Sequence, residues 1–169
     1  LIAAEIAIAR PKQVRHVILD GETLFSEGET QDLLANYPPP LRIGSDGSHL
    51  IWGWNFLRDM QLWWPWYNRT AAGARKAPGY PNAEAIHRSF VEFIKGGRTY
   101  HFGYRAAFAY PTRERLPLVQ TPSLHTANPF DPLRDFIEEA AGLTPGGQGQ
   151  ENAGTGSPEA LAQSAALYR

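Results

Sequence analysis

The sequence predicts an α/β fold with a mostly parallel sheet and a helical insert, and three observations carry that prediction. The chain opens on a helix, a short link and an apolar strand. A long helical and aromatic stretch follows. Strand, loop and helix then return toward the end. Helix, link and buried strand make half of a repeating α/β unit, whose crossover helices make the strands run parallel.

Residues 1–9 form the first expected helix, and Ala3, Ala4 and Ala7 give it a small-residue face that can lie close against a sheet. Pro11 ends it, because an internal proline removes a hydrogen bond and clashes with the preceding turn. No Met stands at position 1 and no capping residue precedes Leu1; the expectation is a chain cut from a longer protein. Residues 14–19 read as a strand, apolar except for Arg15 and His16, and Asp20-Gly21 closes it as a turn. A short helix is expected over 29–36, stopped by Pro38-Pro39-Pro40. Ser48 or Asp46 is the expected N-cap of the helix that follows, over 49–59. Residues 61–67 are strongly aromatic and interrupted by Pro65, and 68–81 form a loop rich in Gly, Ala and Pro. Within 82–95, Ala83, Ile86, Phe90, Phe93 and Ile94 recur at helical spacing, and Gly96-Gly97 terminates the helix. Another helix covers 100–110 and ends at Pro111.

The sheet-and-helix pattern returns at 116. Residues 116–125 give a strand candidate interrupted by prolines, 128–133 the loop after it, and 133–143 a helix stopped by Pro145-Gly146-Gly147. Residues 149–157 are polar and glycine-rich, with little strand signal. Ser157-Pro158-Glu159 starts the last helix: serine caps, proline suits the first turn and the acid favours the dipole. The organisation is therefore sheet over 1–21, helical insert over 22–115 and sheet again over 116–169.

A chain of 169 residues, 43% hydrophobic and 20% charged, is about one domain with a core of its own. Sixteen basic and seventeen acidic residues leave a net charge of -1 without a basic stripe, which argues against nucleic acid. No run approaches the ~20 apolar residues of a membrane span. The opening lacks the basic start and cleavage site of a signal peptide, so the cytoplasm is the expected location. The absence of cysteine excludes disulfides, thiolate metal sites and cysteine nucleophiles. No histidine–carboxylate spacing suits a metal, and no phosphate loop or dinucleotide fingerprint occurs. Neither metal nor cofactor is expected.

All five tryptophans fall between Trp52 and Trp66. Trp52 and Phe56 are one helical turn apart and share a face, while Trp54 points elsewhere. Such rings line an apolar cleft or cement a core of short helices, and both uses stay open for Trp52, Trp54 and Trp63. His49 begins the tryptophan-rich helix and either hydrogen-bonds a substrate oxygen or caps and packs that helix. Tyr104, one turn after Tyr100, either places a hydroxyl in the cleft or joins the core. His49, Trp52, Trp54, Trp63 and Tyr104 are thus the candidate substrate-binding residues. His16, His87 and His125 have ordinary packed or exposed readings, and His101 either enters a cleft or fills the helical insert.

Helix, proline, strand and Asp-Gly over 1–21, the helical block over 22–115, and Pro122-Ser123-Leu124-His125-Thr126-Ala127-Asn128-Pro129-Phe130-Asp131-Pro132-Leu133 together resemble the later part of an α/β-hydrolase. The resemblance implies a partial α/β-hydrolase fold with 22–115 as its helical cap. It places the nucleophile elbow, Gly-x-nucleophile-x-Gly, just before Leu1; no Gly-x-Ser-x-Gly occurs in these residues. It makes Asp131 the acid that orients a catalytic histidine, although an Asp before Pro-Leu also makes a helix-capping turn. Thr155, within Asn152-Ala153-Gly154-Thr155-Gly156, occupies the place of the family's histidine. A threonine hydroxyl cannot act as a base near neutral pH.

The implied function of the complete protein is hydrolysis of a small apolar ester or lactone by nucleophile–histidine–acid chemistry, without a cofactor, the chain alone being inactive. One alternative is a degenerate hydrolase-like protein that binds or interacts without catalysis, motivated by Thr155. Another is a dehalogenase-like or epoxide-hydrolase-like enzyme with an upstream Asp nucleophile. With earlier strands absent, one flank of the sheet is left open, and self-association through that edge is expected.

Overall fold

The elements follow in chain order α1 (Ile2–Ala9), β1 (Val17–Asp20), α2 (Glu27–Asn36), α3 (Ser48–Leu62), α4 (Ala83–Gly96), α5 (Tyr100–Ala109), α6 (Thr112–Arg115), β2 (Ser123–Thr126), α7 (Ile137–Leu143), β3 (Gly147–Gly149) and α8 (Pro158–Leu167). The computed structural model describes residues 1–37, 39–76 and 82–168. Pro38 of the expected helix stop and the end of the expected 68–81 loop lie outside the described residues. The chain divides into two units, Leu1–Leu24 with Tyr110–Arg169, and Phe25–Ala109. Among the described residues no helix is long and apolar enough to cross a membrane.

The first unit carries a three-stranded sheet in the order β1-β2-β3. Both pairings are parallel, with Val17 opposite Ser123 and Ser123 opposite Gly147. β1 starts later than its apolar run suggests, because the chain is still turning there: the N–H groups of Gln13 and Val14 both donate to Arg10 O. β2 likewise takes only the end of the expected 116–125 stretch. Leu116–Leu118 instead forms a tight helical turn, and Pro117 and Pro122 have no N–H to give a ladder.

β3 forms where the sequence gives little strand signal, and its glycines explain both facts. They carry no side chain to show β preference, yet α7 crosses so closely that a Cβ at Gly147 would lie 2.7 Å from Ala141 O. At Gly149 a Cβ would lie 2.9 Å from Ile137 Cγ2. β2 supplies the pairing, and only glycine fits beneath α7.

Side chains from α1, β1 and α7 share one core, in which Ala4, Ala7, Val17, Leu19, Leu24, Leu116, Val119 and Ala140 are buried. The alanines bring α1 close to β1, as the small-residue face predicts. Glu5 on the same helix accepts from Tyr110 Oη at 2.6 Å and, bidentately, from Arg115 Nε and Nη2 at 2.7 Å. The Arg115 guanidinium, helped by the Tyr110 hydroxyl, lowers the Glu5 carboxyl to about 2. α8 begins as the sequence indicates, with Ser157 Oγ accepting from Ala160 N–H at 3.2 Å. Ile2 and Ile6 of α1 stay largely exposed, and Ile18 of β1 is exposed as well.

In the second unit α3 packs on α4, and α2 on α5. Ser26 and Glu29 form a reciprocal capping box on α2. Ser48 is not a cap: Gly47, at φ 73°, is the cap residue of α3. Ser48 is the first helical residue, donating its N–H and Oγ–H to Asp46 Oδ1. Asn82 caps α4 through Oδ1, which accepts from Glu84 and Ala85 N–H. One apolar cluster centres on Leu33, Tyr37 and Phe108 and another on Leu41, Phe56 and Phe93; Met60 and Trp66 pack against both. Asp59 is wholly buried, with carboxylate oxygens 2.7 Å from Arg58 Nη2 and 2.7 Å from Arg69 Nη2. The paired guanidiniums balance a charge that burial would otherwise penalise strongly.

Candidate functional site

Parallel strands deliver their carboxyl ends to one edge of a sheet, where ligands of open α/β folds bind. Three polar side chains from successive strand ends meet at that edge here. Asp20 is the last residue of β1. Asp131 lies in the loop after β2, a turn in which Asn128 O accepts from Asp131 N–H at 2.9 Å and Asp131 Oδ1 from Leu133 N–H at 2.8 Å. Asn152 follows β3, and its N–H donates to Ala127 O at 3.1 Å, extending the ladder past the last strand residue.

Asn152 is the hub of this edge. Its Nδ2 donates to Thr126 Oγ1 at 3.1 Å and to Asp20 Oδ1 at 3.4 Å, while its Oδ1 accepts from Gly154 N–H at 2.8 Å. Burial pushes the Asp20 carboxyl up, the nearby Asp131 charge pushes it further, and the Asn152 amide partly offsets both. Burial and the Asp20 charge also raise the Tyr168 hydroxyl. Thr155 is exposed in the bend after Gly154 and makes no hydrogen bond to Asp131. The edge therefore offers two carboxyls, an amide and hydroxyls. Among the described residues no group of three or more His, Cys, Asp or Glu side chains could hold a metal ion.

The raised Asp20 carboxyl has a consequence for stability. The folded chain keeps that proton to higher pH than the unfolded chain, so stability falls as pH rises from 3.8 through the raised folded value. Asp20→Asn keeps Oδ1 as the acceptor for Asn152 and removes the charge. Urea midpoints are expected to rise in this variant at neutral pH and to match the native chain near about pH 2.5, where the acid is neutral in both states. A lower midpoint at neutral pH would mean the carboxylate is needed at this edge.

A second constellation lies under the sheet and escapes sequence reading altogether. Ser123 and His125 alternate on β2 and share the face of Val17 and Leu19, their register partners. Ser123 Oγ is 3.1 Å from His125 Nε2, and His125 Nδ1 meets the Glu22 carboxylate. The atom order is that of a serine–histidine–acid relay. Its burial argues for a structural role: His125 is 0% and Ser123 6% exposed, although Ser123 borders the groove lined by His16 and Tyr168. The three side chains instead satisfy one another and tie β2 to the turn after β1. Glu22 and His125 are 103 residues apart in sequence, and nothing local to either one signals the pairing.

The aromatic candidates belong to the second unit. His49 and Trp52 line a cavity of about 640 Å³, together with Trp66 and Arg42. Trp54 packs edge-on against Phe90 at 5.8 Å, and Trp63 makes an isolated bridge to Ala74. Tyr104 joins Tyr37, Tyr100 and Phe108 in an aromatic cluster, where burial raises its hydroxyl. Neither Trp54, Trp63 nor Tyr104 is among the residues lining that cavity. Arg42 is a lining residue for which the sequence offers no signal. No family model, curated protein or solved structure matches the chain.

Proposed function

We propose that the chain is the later part of an α/β-hydrolase-like protein, with Asp131 as the orienting acid and 22–115 as the inserted cap, of which Phe25–Ala109 forms a unit of its own. The observation that supports this reading is the convergence of Asp20, Asp131 and Asn152 from three successive parallel strands on one edge. In this reading one Asp131 oxygen stays on Leu133 N–H, and the other receives the N–H of an imidazole from outside these residues, Thr155 holding the place where the family has its histidine; the contact fixes the imidazole's tautomer and stabilises its cation. The imidazole takes the nucleophile's proton during attack on a small apolar ester or lactone and returns it to the leaving alcohol. In this reading the nucleophile belongs to a segment outside residues 1–169.

The complete natural polypeptide, assayed with nitrophenyl acetate and butyrate, is expected to hydrolyse both. Asp131→Asn is expected to lower kcat by about 10⁴-fold, with KM little changed, since the acid acts through the base. Equal turnover by this variant and the native protein would remove Asp131 from the chemistry.

Thr155 favours a second reading, in which the same edge binds without catalysis. No histidine of the first unit reaches Asp131: His125 is committed under the sheet, and His16 lines a groove beside Leu124 and Tyr168. Native inactivity, with turnover gained only in the Thr155→His variant, supports this reading.

A further inference from the structure

The cavity in the second unit has a chemical bias that a neutral ester would not use. Its walls are apolar: Trp52 stacks on Phe56 at 5.2 Å, and Trp66 stands edge-on to both. Its unused polar side-chain groups include donors on Arg42, His49 and Trp52, with Asn36 Oδ1 and Ser48 Oγ as uncharged acceptors. Arg42 makes no hydrogen bond or ion pair among the described residues and is exposed at the cavity rim. His49 Nδ1 accepts from Gly44 N–H at 3.4 Å, which leaves Nε2–H as its donor. The Trp52 indole N–H has no acceptor among the described residues, whereas that of Trp66 is spent on Tyr37 O at 2.9 Å.

The neighbouring acid does not cancel this bias. Asp46 Oδ1 is engaged by the N–H and Oγ–H of Ser48, and Asp46 does not line the cavity. A volume of about 640 Å³ suits a drug-sized ligand. Flat aromatic walls select a flat apolar body, and a cation with neutral N–H donors selects a planar anion beside it.

We propose that this cavity, walled by Trp52 and Trp66 and rimmed by Arg42 and His49, binds an aromatic carboxylate. The carboxylate meets the Arg42 guanidinium and the His49 Nε2–H while the ring lies against the indoles. Every wall belongs to Phe25–Ala109, so the proposal stands apart from the hydrolase reading.

Calorimetric titration of the full chain with naphthoate and with naphthamide tests it. The two ligands share a ring and differ in charge. Naphthoate is expected to bind about tenfold more tightly, the difference a charge-assisted hydrogen bond supplies. Arg42→Gln, at an exposed position, is expected to bring the ratio to about one, chiefly by weakening naphthoate. Trp52→Phe keeps a ring on Phe56 and is expected to weaken both ligands. Equal binding of the two ligands by the native chain, a preference that survives Arg42→Gln, or no binding of either would overturn the proposal. Ester turnover plays no part in the readout, so its success or failure is separate from that of the hydrolase reading.

Discussion

His125→Ala is expected to destabilise the chain by about 3–5 kcal/mol, the loss seen when one partner of a buried polar pair is removed. Two groups lose their partner at once. The Glu22 carboxylate is left with a side chain only 10% exposed, and the Ser123 hydroxyl with no imidazole beside it. The ring also leaves a void between β2 and the core, which adds to the cost. Glu22→Gln is expected to be far milder, because an amide oxygen can still accept from the imidazole N–H. Hydrogen exchange at the β2 amides reads the effect where it arises, and urea unfolding gives its size. A loss below about 1 kcal/mol in the alanine variant would reduce the network to an incidental contact.

Phe56→Ala is expected to produce a loss of similar size in the other unit, about 3–5 kcal/mol for a buried ring replaced by a void. Phe56 is 2% exposed and is the meeting point of its cluster. Trp66 lies at 5.1 Å, Trp52 at 5.2 Å, Phe93 at 5.7 Å and Tyr100 at 5.9 Å from its ring centre. Removing it takes a packing neighbour from each of those rings. Since all five tryptophans lie between Trp52 and Trp66, their emission reports on this unit alone. The fluorescence midpoint in urea is expected to fall sharply, while Phe56→Leu, which fills most of the space, loses less. A midpoint unchanged by the alanine variant would show that this cluster does not carry the unit's stability.

Features with a local physical cause were legible in the sequence. α4 was readable because its apolar residues repeat at helical spacing between an Asn cap and a Gly stop, and α8 because Ser-Pro-Glu suits only a helix start. The small face of α1 was readable for the same reason. β3 was not, since glycines selected for their lack of a Cβ carry no strand preference. Ser48 was misread as a cap because the left-handed Gly47 takes that place and Asp46 holds the turn.

The site divides along the same line. Asp131 and Thr155 stand out only through resemblance to a family pattern, and His49 only through its place before the tryptophans. The Asn152 hub joins side chains from three strands, and the Glu22–His125 pair spans most of the first unit. Parallel pairing creates both, and parallel neighbours are distant in sequence. Arg42 was silent because a rim cation looks like any solvated arginine until a cavity is seen beside it.

In the hydrolase reading Asp131 stands where it would orient an imidazole at position 155. Thr155→His, placed in the chain of residues 1–169 and followed by NMR titration, tests that placement without any nucleophile. The introduced imidazole is expected to titrate about one unit or more above its ordinary ~6.5, because the carboxylate stabilises its cation. Adding Asp131→Asn is expected to return it to the ordinary value, while adding Asp20→Asn leaves the elevation in place. An imidazole that titrates at its ordinary value whether or not Asp131 is present would contradict that placement.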